Sequence, residues 1–237
     1  MTADVLNARG AEKATRGDRR GAFADFDAAL ALDPTLAAAR NNRGLARLTA
    51  GDLDAAVADL REAVRLDPDY AAAFDNLAAA CTLLRDYAGA VACHDRAIVL
   101  YTAARRQPRR LGLSHVLRAL ARHHLGHPGA VLDMRLGYRL APRLAAATVA
   151  GAVASNVRTL GAAAVTRCDE YLARRPGDGF TVVHRGLTHL ALGDRPAFAA
   201  DFAAARWLVP PEDVAIAAAF ARAVEARPSA DAPPPGA

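Results

Sequence analysis

The sequence predicts an all-α solenoid built from about six helix-turn-helix repeats and closed by a C-terminal capping helix. Three observations predict it. Pro34 and Pro68 stand 34 residues apart, and Pro142, Pro176 and Pro210 are again 34 apart, with two periods plus six residues between the sets. The residues between the prolines recur in the same phase. The composition is 53% hydrophobic but largely alanine, with only 5% aromatic residues, which suits close-packed helices better than strands. A fixed period of this length marks stacked supersecondary units that cannot bury their apolar faces alone.

The elements follow in order. In the first repeat Gly10 precedes Gly17-Asp18, then Ala22, Phe26, Ala29 and Pro34. The second has Gly44, Gly51-Asp52, Ala56, Leu60, Ala63 and Pro68. Each Gly-Asp pair reads as the turn between two helices: glycine tolerates a left-handed backbone and aspartate caps the next helix. Gly10, Gly44, Ala22 and Ala56 let the two helices approach, and Phe26 and Leu60 fill the wedge between neighbours. Asp33-Pro34 and Asp67-Pro68 end the second helix, since the residue before proline avoids the helical region. The third repeat keeps Ala78, Ala90, His94 and Ala97 but has Thr102 where the proline is due. The fourth carries Ala130, Met134, Gly137 and Pro142; the fifth Ala164, Cys168, Tyr171 and Pro176; the sixth Gly186, Gly193-Asp194, Phe202, Ala205 and Pro210. Burial of each large side chain contributes roughly 1.5–3 kcal/mol, and only when repeats stack.

Over residues 3 to 212 this pattern resembles the tetratricopeptide repeat, W-x2-L-G-x2-Y, then A-x3-F, then P. The second-helix half matches better. Leu6, Arg40, Phe74, Ser114, Thr148 and Val182 stand where that family often has tryptophan. The resemblance implies a right-handed superhelix and a non-catalytic adaptor that holds a peptide or helix in its concave groove. The expected organisation is repeats 1–3 over 1–104, a basic inserted loop at 105–110, degenerate repeats 4–6 over 111–212, a capping helix at 213–227 and a disordered tail at 228–237. The tail is mostly Pro, Ala, Ser and Asp and cannot bury enough apolar surface to order itself.

Carried across repeat by repeat, the family's groove positions fall on Asn7 and Ala11, then Asn41, Asn42 and Leu45, then Asp75, Asn76 and Ala79. His115, Val116, Ala119 and Arg122 follow, then Val149, Val153 and Asn156, and last Val183, His184 and Leu187. Asn42 and Asn76 occupy the same place one period apart. An amide offers donor and acceptor, so such a ladder grips an extended peptide backbone, or else bonds neighbouring turns. The basic carboxylate clamp of the chaperone-binding members is missing: Ala11, Ala72 and Asn76 stand where asparagine, lysine and arginine are wanted, and only Asn42 matches. The groove is polar at one end and apolar at the other, where it suits an amphipathic helix. Such an apolar lining also suits a second copy of the chain.

Charge is the second guide. Residues 1–100 hold 12 basic and 15 acidic side chains, residues 101–144 nine arginines and Asp133, and residues 145–237 nine of each. Arg105, Arg106, Arg109 and Arg110 coincide with the six-residue slip. An exposed arginine loop there would dock an acidic protein, since guanidinium forks match carboxylate and phosphate oxygens. A nucleic-acid or other acidic-ligand binder using 101–144 is the alternative function. Nucleic acid is disfavoured, because no aromatics interleave the basic residues.

Chemistry is not expected. His123 and His127 are four apart, yet no cysteine is near them in sequence and Asp133 belongs to the next helix. Metal ligation is therefore rejected in favour of helix-end histidines. Cys93-His94 invites a nucleophile, but His94 stands at the position of Phe26 and Leu60 and reads as a packing residue with one hydrogen bond. No phosphate loop, nucleophile elbow or zinc-type cysteine pairing occurs, so no cofactor is expected. Cys81, Cys93 and Cys168 form no paired framework, which points to a reducing cytoplasm. No secretory signal or membrane span is read. One lysine among 30 basic residues suggests the base composition of a GC-rich bacterium.

Overall fold

The computed structural model describes residues 1–105, 107–127 and 129–226. Among them the chain forms helices and no strand: α1 (Ala3–Thr15), α2 (Arg19–Leu32), α3 (Ala37–Ala50), α4 (Leu53–Leu66), α5 (Ala71–Leu83), α6 (Tyr87–Ala104), α7 (Pro108–His124), α8 (Ala130–Leu140), α9 (Pro142–Leu160), α10 (Ala163–Arg174), α11 (Gly179–Ala191), α12 (Arg195–Leu208) and α13 (Pro211–Glu225). The chain is an all-α helical-repeat solenoid.

The turns are set by the residues that predict them. Gly17, Gly51 and Gly193 have φ of +85°, +85° and +84°. The aspartate after each caps the second helix: Asp18 accepts from the Gly21 N–H at 2.9 Å, Asp52 from Ala55 at 3.4 Å and Asp194 from Ala197 at 3.0 Å. In the third repeat Arg85 takes the left-handed place at φ +61° and Asp86 caps α6 through the Gly89 N–H at 2.9 Å. The Asp-Pro pairs do more than stop a helix. Asp33 accepts from the Thr35 N–H at 2.9 Å and Asp67 from Asp69 at 3.0 Å, so each carboxylate fastens the loop into the next repeat.

The helices gather into two compact parts, one from Met1 to Ala130 and one from Val131 onward. In the first, α1–α2, α3–α4 and α5–α6 form hairpins, and α7 packs on α6. Their wedge residues Phe26, Leu60 and His94 are all but fully buried. A Cβ on Gly10 would lie 2.7 Å from the Phe26 ring, and one on Gly44 2.7 Å from Leu60 Cγ, so these positions are fixed by close approach. In the second part α11 and α12 form a hairpin, and α13 folds back on α9 and α11, touching α12 only lightly. There Phe202 is half-buried rather than enclosed, tilted against Phe198 at 5.2 Å between ring centres.

The expected arginine loop at 105–110 is corrected. With Thr102 in place of proline nothing halts α6, which runs one turn beyond its counterparts to Ala104 and ends on Arg105 at φ +52°. Pro108 then opens α7, where its missing N–H costs nothing, so Arg109 and Arg110 lie in a first helical turn. The slip is absorbed by longer helices. The two parts also divide after Ala130, not at 105–110. The last helix begins at Pro211, two residues before the expected start. Arg106 and the proposed tail at 228–237 lie outside the described residues.

Candidate partner-binding groove

The amides that the sequence places on the first helices form a rail within the protein. Asn42 Nδ2 donates to Asn7 Oδ1 at 2.9 Å, and one period on Asn76 Nδ2 donates to Asn41 Oδ1 at 2.8 Å. Asn41 Nδ2 also reaches Asn42 Oδ1 at 3.2 Å and the Tyr70 hydroxyl at 3.3 Å. Ser114 extends the series, its hydroxyl donating to Asp75 Oδ1 at 2.7 Å, and His94 Nδ1 meets the same oxygen at 3.1 Å. Each of α1, α3 and α5 thus supplies an acceptor to a donor on the next first helix. Asn41 is buried; Asn7, Asn42, Asp75 and Asn76 are half-buried.

Beside the rail, α1 and α3 enclose a cleft of about 270 Å³ lined by Ala11, Ala14, Phe26, Asn42, Leu45 and Thr49. Ala11, Asn42 and Leu45 are predicted groove positions, and Leu45 is 43% exposed. The cleft therefore pairs an apolar wall with one amide of the rail.

Other predicted positions are arranged differently. His115 is buried. Arg122 is half-buried and shares Asp95 with Arg118, at 3.6 and 2.5 Å. Arg105, Arg109 and Arg110 are exposed. In the second part Val149, Val153 and Leu187 are buried, on the two helices that α13 packs against. α13 is further held to α8, where Arg135 forks onto both Asp213 oxygens at 2.6 Å and Tyr138 meets Phe220 edge-on at 6.0 Å between ring centres.

His124 stacks on Tyr87 at 4.2 Å, and burial, aided by His124, pushes His123 down to about 4. Among the described residues no group of three or more His, Cys, Asp or Glu side chains is arranged to hold a metal ion. Nor is any of the described helices long and apolar enough to cross a membrane.

Sequence reasoning missed one set of polar residues. Arg9 bonds Asp25, Arg43 bonds Asp59 and Arg185 bonds Asp201, each pair 16 residues apart. Asp59 is 2% exposed and meets Arg40, Arg43 and Arg47 at 3.3, 2.6 and 2.7 Å. The bonds from Arg9 and Lys13 hold the Asp25 carboxyl far below the usual carboxylate range, and the bonds to Asp59 and Asp27 hold the Arg43 guanidinium well above its own. Arg43 also reaches back to Asp27 of the preceding hairpin at 2.7 Å, and Arg185 to Asp169 at 2.6 Å. The signal was available: an Arg and an Asp recurring 16 apart, in phase with the prolines.

Residues 37–70 match the tetratricopeptide repeat family. Among solved structures, the chain is similar to TTC0263, a thermophilic TPR protein of Thermus thermophilus, at 16% identity over 94% of this chain and 100% of that one, with a TM-score of 0.52. It is also similar to MamA at 20% identity over 84% and 93% of the two chains, TM-score 0.52. PilW, a widely conserved type IV pilus biogenesis factor, aligns at 18% identity over 94% and 89%, TM-score 0.51. No curated protein matches the chain in sequence.

Proposed function

Because the chain is a tetratricopeptide-repeat protein, we propose that it is a non-catalytic cytoplasmic scaffold that holds a protein partner as a peptide or helix on the first helices of its N-terminal repeats. The observation that carries this reading is the cleft between α1 and α3, where exposed Leu45 stands beside Asn42. An apolar side chain of the partner fills the cleft, and the amide beside it offers hydrogen bonds to the partner's backbone. Asn7, Asn41, Asp75 and Asn76 serve this surface by fixing the spacing of successive first helices. In the C-terminal repeats α13 lies on α9 and α11, which favours the N-terminal repeats as the open surface.

Leu45→Arg tests the reading, since it blocks the cleft from an exposed position. Partners captured by the wild-type protein from its source lysate at high salt should be lost by this variant while its melting curve is unchanged. Retention of every partner would overturn the groove assignment. A second reading rests on exposed Arg105, Arg109 and Arg110, which would dock an acidic protein. Arg105→Glu with Arg109→Glu should then remove a partner whose capture already falls steeply with salt.

A further inference from the structure

The third repeat breaks the ion-pair pattern of its neighbours. The first repeat sets Lys13 against Asp25 at 2.8 Å, the second Arg47 against Asp59 at 2.7 Å and the sixth His189 against Asp201 at 3.9 Å. At the same two positions, one on each helix of the hairpin and again 12 residues apart, the third repeat carries Cys81 and Cys93. Both belong to one core cluster with Leu77, Ala80 and Ala90. The α5–α6 hairpin sets the two cysteines on paired helices. α5 and α6 lie close because Ala78 and Ala90, both fully buried, keep bulk out of their contact. Cys81 is buried and Cys93 half-buried, so small solutes reach the pair from the Cys93 side.

As glue, two thiols replace an ion pair poorly, because S–H is a weak donor. What they add is oxidation chemistry. We propose that Cys81 and Cys93 form a modification site at which a peroxide installs a reversible disulfide between α5 and α6. The neighbouring Cys93 thiol lowers that of Cys81 to about 7, which favours Cys81 as the attacking sulfur. Its thiolate attacks one peroxide oxygen, the O–O bond breaks, and the departing oxygen leaves as water, giving a sulfenic acid on Cys81. The Cys93 sulfur then attacks the sulfenic sulfur. An S–S bond forms, the S–O bond breaks, and the second oxygen leaves as water with the Cys93 proton. Two thiols are oxidised by two electrons and one peroxide is reduced to two waters; a dithiol reverses the change. Cys168, whose thiol is pushed up to about 11 by burial, is the built-in control.

The experiment uses the full chain and hydrogen peroxide, followed by alkylation under denaturing conditions, intact mass and peptide mapping. Treatment should lower the mass by about 2 Da, leave only Cys168 alkylated, and raise the melting temperature until dithiothreitol restores three reactive thiols. Cys93→Ser should instead leave Cys81 as a sulfenic acid that dimedone traps. Three alkylatable thiols after treatment, a link that includes Cys168, or a link between two chains on a non-reducing gel would each overturn the proposal. The wild-type mapping does not depend on any variant folding.

Discussion

Replacing Asp59 with Asn tests whether the buried ionic centre of the second repeat holds α3 to α4. The carboxylate is 2% exposed, while its partners Arg40, Arg43 and Arg47 have side chains 27%, 14% and 26% exposed. Removing one partner of a fully buried pair costs about 3–5 kcal/mol, chiefly because a charge is left uncompensated. Here the stranded charges are guanidiniums that reach water, and Asn keeps the shape and one acceptor. The loss should therefore be smaller, about 2–3 kcal/mol. For a chain of this length that lowers the melting midpoint by about 5–10 °C. Asp25→Asn should cost less, about 1 kcal/mol, because Arg9 and Lys13 are 43% and 32% exposed and hydrate freely. Helical circular dichroism is the assay of choice, since Trp207, the only tryptophan, is 91% exposed and its fluorescence would barely report unfolding. An Asp59→Asn loss below about 0.5 kcal/mol, within the range of ordinary surface substitutions, would refute the argument, as would an Asp25→Asn loss equally large.

Three further outcomes are expected. Gly44→Ala should destabilise by about 1–3 kcal/mol in chemical denaturation, because its Cβ would lie 2.7 Å from Leu60 Cγ and 3.3 Å from the Ala56 carbonyl, although alanine is the better helix former. Arg85→Gly should stabilise by about 1 kcal/mol, since Arg85 holds φ +61° where three other repeats use glycine. Stability should fall as pH drops from 6.5 towards 4, because His123 ordinarily protonates near 6.5 but in the fold only near 4, so the unfolded chain binds the extra proton. His123→Gln should flatten that stretch of the stability profile.

The repeat phase, the Gly-Asp turns, the Asp caps and the wedge at Phe26 and Leu60 were legible because each is a local rule repeated at a fixed interval. His94 was legible for the same reason: its place in the phase called for packing, and it is buried with one bond to Asp75. The slip was misread because Arg and Pro together suggest a loop, whereas Thr102 had removed the signal that stops α6. The 16-residue Arg-Asp pairing was not read because charges on opposite helices carry no apolar periodicity. That the Asn42 amide donates across to Asn7 depends on how two repeats stack, which no single repeat encodes. The return of α13 to α9 likewise rests on contacts between elements far apart in sequence.

Arg43 touches two hairpins and Arg185 joins the α11–α12 hairpin to α10, and in each case the two contacts differ in kind. The inner carboxylates, Asp59 and Asp201, have side chains 2% and 8% exposed, whereas the outer ones, Asp27 and Asp169, are 62% and 52% exposed. Dissolved ions screen the outer contact and hardly reach the inner one. Added salt should thus uncouple neighbouring repeats before it weakens any repeat internally, turning one cooperative transition into a sequence of partial ones. At these two interfaces a single arginine would then set whether an unfolding event spreads across.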